Sequence, residues 1–134
     1  MQNFEFLVIA TTTEIVRIRE KDILSITSDG NYSHINTIGG EDFQVWLQLG
    51  ELEKYIKNQL PSTGVFLKRV GRKLIVNMRY LYYVNTSKKK IFLMDMKGKK
   101  TVHKASKESL VELKKSIEAE LIKTVKEKTT ELTI

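Results

Sequence analysis

Four cations crowd one short stretch of this sequence, Phe66-Leu67-Lys68-Arg69-Val70-Gly71-Arg72-Lys73-Leu74-Ile75-Val76-Asn77. Apolar Val65–Leu67 and Leu74–Val76 bracket them as core-anchored strands would, so the charges gather around Gly71 at a turn or strand edge. A guanidinium bonds in a bidentate fashion to phosphate or to the guanine edge, and a glycine allows close backbone approach. The competing reading is a charged edge that blocks sheet-to-sheet aggregation. Charge along the chain favours neither by itself but narrows the partner. Residues 64–104 hold 12 basic side chains and 1 acidic one (Asp95), whereas residues 1–63 hold 5 and 9, and residues 105–134 hold 6 of each. The whole excess behind the net +7 lies in one block. Such a block points to a polyanion, nucleic acid or an anionic membrane face, against the alternative of a merely solubilising surface.

Other chemistries fail on inventory. His34 and His103 have no Asp or Glu at ligand spacing, and no HExxH, GxSxG, P-loop or GxGxxG pattern occurs. There is no cysteine, hence no thiolate nucleophile, thiolate metal site or disulfide framework. Asp29-Gly30 and Glu41-Asp42 read as turns, and Glu51 with Glu53 as a helix start. The expectation is a non-enzyme with no cofactor and no metal. No apolar run approaches a membrane span, and the start lacks a signal peptide's basic region, so the cytoplasm is the simplest compartment.

The elements that would position the basic cluster are mostly strands. Phe4–Ile9, Glu14–Arg19, Ile23–Ser28, Tyr32–Thr37 and Phe43–Leu47 are short β-branched or aromatic runs. Ser28-Asp29-Gly30-Asn31 and Gly39-Gly40-Glu41-Asp42 supply turn chemistry between them. Leu49, Leu52, Ile56 and Leu60 then fall on one helical face, ended by Pro61. Strands are expected again at Val65–Val70, Lys73–Asn77, Tyr80–Asn85, Ile91–Met94 and Thr101–Lys104. A second helix opens near Ser106, a fitting N-cap, and carries the stripe Leu110, Leu113, Ile117, Leu121 and Val125, with fraying expected from Lys126 onward. One domain is expected over residues 1–118, with a helical extension over 119–134.

Four blocks, in order, resemble the LytTR family of bacterial DNA-binding domains. They are Asp22–Tyr32, Leu47–Glu53, the basic segment (matching at Arg69, Arg72, Val76 and Asn77) and Val102–Lys114 (with Ser106, Lys107, Leu110 and Leu113 in place). The similarity runs from about Glu5 to Ile117. It departs at Gly71, where the family usually has histidine, at Lys73 in place of serine, and at acidic Glu108 after Ser106-Lys107.

The resemblance implies an elongated, mainly β fold of antiparallel strands with one short central helix and a C-terminal amphipathic helix. It implies sequence-specific binding of double-stranded DNA by a transcription regulator, through loops that reach successive major grooves at repeated sites. Carried over by position, three loops hold the contacts: Asn31, Tyr32, Ser33 and His34; Arg69, Arg72 and Lys73; Lys104, Ser106 and Lys107. Arg72 is the candidate for a base, and Lys73, Lys104 and Lys107 for phosphates. Asn31 also reads as a turn residue, His34 as a surface histidine, and Asn77 as an amide satisfying a strand end. Tyr32, Trp46, Phe66 and Tyr83 read as core. The runs Lys88-Lys89-Lys90 and Lys97–Lys100 read as hairpin-turn charge. Further implied partners are a second copy on DNA and an upstream sensor or receiver protein. No receiver domain is expected in this chain itself. Two alternatives stay open: a partner-regulated interaction module using the tail helix, and a non-specific nucleic-acid binder using residues 64–104.

Overall fold

The computed structural model of the chain describes residues 5–132. The elements run in the order β1 (Phe6–Ala10), β2 (Ile15–Arg19), β3 (Ile23–Asp29), β4 (Tyr32–Thr37), β5 (Asp42–Val45) and α1 (Leu49–Gln59). They continue with β6 (Leu67–Arg69), β7 (Leu74–Asn77), β8 (Leu81–Asn85), β9 (Lys90–Met94), β10 (Lys100–Lys104) and α2 (Lys107–Leu132). The fold is mixed α/β, dominated by antiparallel strands, with one central and one C-terminal helix. A five-stranded sheet, ordered β5-β4-β3-β7-β6, forms the middle layer, flanked by the β1–β2 hairpin and a three-stranded sheet ordered β10-β9-β8.

The middle sheet is covered on both faces where β7 crosses it, which is why Leu74, Ile75, Val76 and Asn77 are all buried. Ile75 joins Ile26, Ile35 and Val45, with Leu52 and Ile56 of α1, in one core. Leu74 and Val76 join Ile91, Leu93, Leu110 and Leu113 in the other. The apolar stripes of both helices thus face opposite sides of one sheet. Gln48 opens α1 by donating its N–H to Glu51 Oε1.

The structure corrects several expectations. Val65 and Phe66 lie in a 3₁₀ turn rather than a strand, because only Leu67–Arg69 find a partner strand, in β7. Trp46 and Tyr83 are not core: they are 72% and 40% exposed. Val45 points inward opposite buried Ser33, so Trp46 turns outward, and a bulge between Leu81 and Tyr83 turns Tyr82 and Tyr83 outward together. The end expected to fray from Lys126 is assigned to helix α2 as far as Leu132, which leaves that expectation as it stands, and Thr133 and Ile134 lie outside the described residues.

One buried polar knot ties the layers together. Asn77 Nδ2 donates to the Glu20 and Ile23 carbonyls at 3.1 and 2.8 Å and to Glu20 Oε2 at 2.8 Å. Its Oδ1 accepts from the Arg79 N–H at 3.0 Å. Arg79 Nε donates to both Glu20 carboxylate oxygens at 2.9 Å, and its guanidinium lies 3.8 Å from the centre of the Phe66 ring. The Tyr80 hydroxyl donates to the Lys21 carbonyl. Asn77 does act as the strand-end amide.

Two outcomes follow from this packing. Asn77→Ala removes one of the two partners of the buried Glu20 carboxylate and the shared donor to two carbonyls, and should cost about 3 kcal/mol in denaturant-monitored unfolding. His103, whose Nε2 lies 3.0 Å from Ser25 Oγ, is pushed below its ordinary value by burial. The unfolded chain then protonates first. Stability should therefore be full above about pH 6.5 and fall as the pH drops below it, and His103→Gln should flatten that fall.

Candidate nucleic-acid interface

Strand register brings four loops to one end of the molecule. Thr27 of β3 sits opposite Leu74 of β7, and the Ser28 N–H donates to the Lys73 carbonyl at 2.9 Å. The β3–β4 turn at Gly30-Asn31 therefore lies beside the β6–β7 loop of residues 70–73. In the three-stranded sheet, Lys90 sits opposite both Asn85 and Lys104. The Ala105 N–H donates to the Lys89 carbonyl at 3.2 Å, joining the β8–β9 turn to the loop before α2.

Between the β6–β7 loop, the β8–β9 turn and the loop before α2 runs a groove of about 780 Å³. Its walls carry Arg72, Lys73, Lys88, Lys89, Lys90 and Lys104, six cations with no carboxylate among the lining residues. Ser106 and Ser109, at the start of α2, complete it. The amino end of this helix adds its partial positive charge to the same wall. A concave site of one sign focuses its field on an incoming polyanion.

Gly71 lets the two halves of the groove meet. Its φ is +74°, and a Cβ there would lie 2.9 Å from Ser109 Oγ. The departure from the family's usual histidine therefore matches a close approach of the loop to α2. Lys89 adopts φ +57° without being a glycine, placing a charged side chain on a turn that needs a left-handed residue.

The structure divides the sequence candidates into presented and presenting residues. Asn31, Arg72, Lys73, Lys104 and Lys107 are exposed at this end. Arg69 is not free to reach out: Nε donates to the Gly71 carbonyl at 3.1 Å, Nη2 to the Arg72 carbonyl at 3.0 Å, and Nη1 pairs with Glu53. It braces the 70–73 loop from beneath. Ser33 is fully buried and donates to the Leu47 carbonyl at 2.8 Å, so its side chain cannot touch DNA. Ser106 caps α2, accepting from the Ser109 N–H at 3.2 Å. Tyr32 is half-buried and donates its hydroxyl to Asp29 at 2.9 Å.

His34 gains carboxylate neighbours that no ligand spacing in the sequence announces. Pairing of β4 with β5 brings Asp42 Oδ2 to 3.2 Å from His34 Nδ1, and Asp29 Oδ2 lies 4.0 Å from Nε2. Among the described residues no group of three or more His, Cys, Asp or Glu is arranged to hold a metal ion. No helix there is long and apolar enough to cross a membrane.

Sequence reading missed the place of the lysine runs. Lys88–Lys90 line the groove, whereas Lys97–Lys100 belong to the turn at the far end of the same sheet, where Lys100 pairs with Met94. Hairpin counting could have told them apart. Lys90 and Lys104 are equidistant from Lys97 at the turn, so they must face each other once β9 and β10 pair.

Fold, loops and charge describe a mainly antiparallel domain whose basic loops gather at one end. The family model described as the LytTr DNA-binding domain matches residues 13–118. The chain belongs to the LytTR family, and so is a DNA-binding regulatory domain rather than an enzyme. Among solved structures, a LytTr DNA-binding domain from Bacillus cereus is similar over 83% of this chain and 94% of that one, with a TM-score of 0.57. At 14% identity that likeness is one of fold. No curated protein matches.

The Gly71 geometry makes a test. Gly71→Ala should lower stability by about 1–3 kcal/mol, from the left-handed backbone and the contact with Ser109. Adding Ser109→Ala should recover the contact part and leave the backbone part, as read by a double-mutant unfolding cycle.

Proposed function

We propose that the chain is a sequence-specific double-stranded DNA-binding regulator of transcription, acting in the bacterial cytoplasm and engaging the major groove at repeated sites. The observation that carries this reading is the carboxylate-free groove with its six cations, set between motif loops. Arg72 is exposed on the loop that Arg69 braces, so its fork is free to take guanine O6 and N7. Lys73, Lys88, Lys89, Lys90, Lys104 and Lys107 take phosphates and set affinity. Asn31 and Nε2 of His34 serve the adjoining turn, since Nδ1 of His34 is buried against Asp42.

A second surface concerns protein partners. Leu121 and Ile122 of α2 are 60% and 57% exposed, beyond the last residues packed on the domain. This supports a boundary near residue 118 and a tail that meets another protein: a second copy on DNA, or an upstream sensor or receiver.

Selection from random duplex DNA at two salt concentrations tests the main reading. The wild type should enrich a repeated motif, and Arg72→Ala should lose it, at a cost of about 1–3 kcal/mol in discrimination. Replacing Lys88, Lys89 and Lys90 together by alanine should weaken binding evenly across sequences and reduce the slope of log affinity against log salt by about 2–3. Salt-sensitive binding without any enriched motif would leave only a general polyanion binder.

A further inference from the structure

We infer that Trp46 makes an apolar contact to base edges beside the β3–β4 turn and so helps select the sequence bound; this rests on the DNA-binding reading above. Trp46 is 72% exposed, an unusual state for so large an aromatic side chain. The fold holds it there. Val45 is fixed opposite Ser33 in the β4–β5 ladder, and the fully buried Ser33 hydroxyl donates to the Leu47 carbonyl at 2.8 Å. The residues on both sides of Trp46 are thus pinned by one serine. The indole packs on the Tyr32 ring with centroids 5.2 Å apart, and Tyr32 is itself anchored to Asp29. A ring fixed in advance loses little freedom when a partner covers it.

Position and charge together choose the occupant. Tyr32 follows the Gly30-Asn31 turn directly, so the indole stands at the loop end that carries the groove. Three strand spacings separate β5 from β7 in the sheet order, roughly 14 Å. That span is comparable to the ~12 Å width of a major groove, so one duplex can meet Lys73 and Trp46 together. Asp29 and Asp42 stand on this flank, at 4.0 and 3.2 Å from His34. Two carboxylates repel phosphate and leave an uncharged base edge, above all a thymine methyl, as the group the indole accepts. Ser33 is then a positioning residue, acting through the backbone on either side of Trp46.

Trp46 is the sole tryptophan, so its emission reports its own surroundings. The wild-type chain is titrated with an end-labelled duplex recovered by selection, following label anisotropy and tryptophan emission together. Emission should change along the same isotherm as anisotropy. Trp46→Ala should lower the preference for that duplex over a scrambled one about tenfold, with the salt slope unchanged, and Trp46→Tyr should keep most of it. Constant emission while anisotropy saturates, or an undiminished preference in Trp46→Ala, overturns this inference and leaves DNA binding standing. No anisotropy change at all overturns both.

Discussion

A carboxylate with only 2% of its surface exposed, that of Glu20, sits where the chain passes from one sheet to the next. A lone buried charge would be prohibitively costly, and this one is met from two sides by Arg79 and Asn77. Both partners come from the segment that ends β7 and turns into β8. Their bonds therefore fix how the three-stranded sheet leaves the five-stranded one. Phe66 stacks on the far side of the guanidinium, which draws the residues before β6 into the same knot. Whatever angle the two sheets adopt, and hence whatever groove opens between their loops, depends on this set of contacts.

The knot and the groove occupy opposite ends of β7. Asn77 closes one end and Leu74 opens the other, next to Lys73. The fold concentrates its buried polar demands at the base, where every donor and acceptor can be satisfied, and leaves the tips to charge and to left-handed backbone. Motif residues split along the same line. Asn77, Arg69, Ser33 and Ser106 spend their polar atoms on backbone carbonyls, amides and caps. Arg72, Lys73, Lys104 and Lys107 stand exposed at the tips. A motif read along the chain mixes frame and contact, and only burial and bonding separate them.

Much of this was legible in residue types. Period-two runs located most strands, the Leu49–Ile56 stripe located α1, and the charge count located the basic face. What failed depended on distant pairing. Val65 has every strand-favouring property but no neighbouring strand, so it turns. Trp46 and Tyr83 look like core until register and a bulge decide which way they face. Lys88–Lys90 and Lys97–Lys100 are alike in composition and end about 13 Å apart along the sheet at ~3.3 Å per residue. His34 gains two carboxylate neighbours from β4–β5 pairing and a turn, neither of which shows as a motif spacing. Local propensity names the elements, and register decides what they bring together.

Charge is also unequal along the row of loops, and under the proposed DNA-binding reading this divides the labour of recognition. The groove flank carries cations without a carboxylate, while the β3–β4–β5 flank carries Asp29 and Asp42 around His34. A polyanion gains most of its attraction on the first flank and little on the second. Phosphate contacts at the groove hold any duplex alike, since they carry no sequence information. Discrimination must then come from groups that meet bases where the backbone is not strongly held. The fold places an exposed guanidinium on the cationic loop and an exposed indole on the acidic flank. On the proposed reading the indole, just after β5, adds selectivity away from the groove's cations, so Trp46 can change without loss of the phosphate contacts.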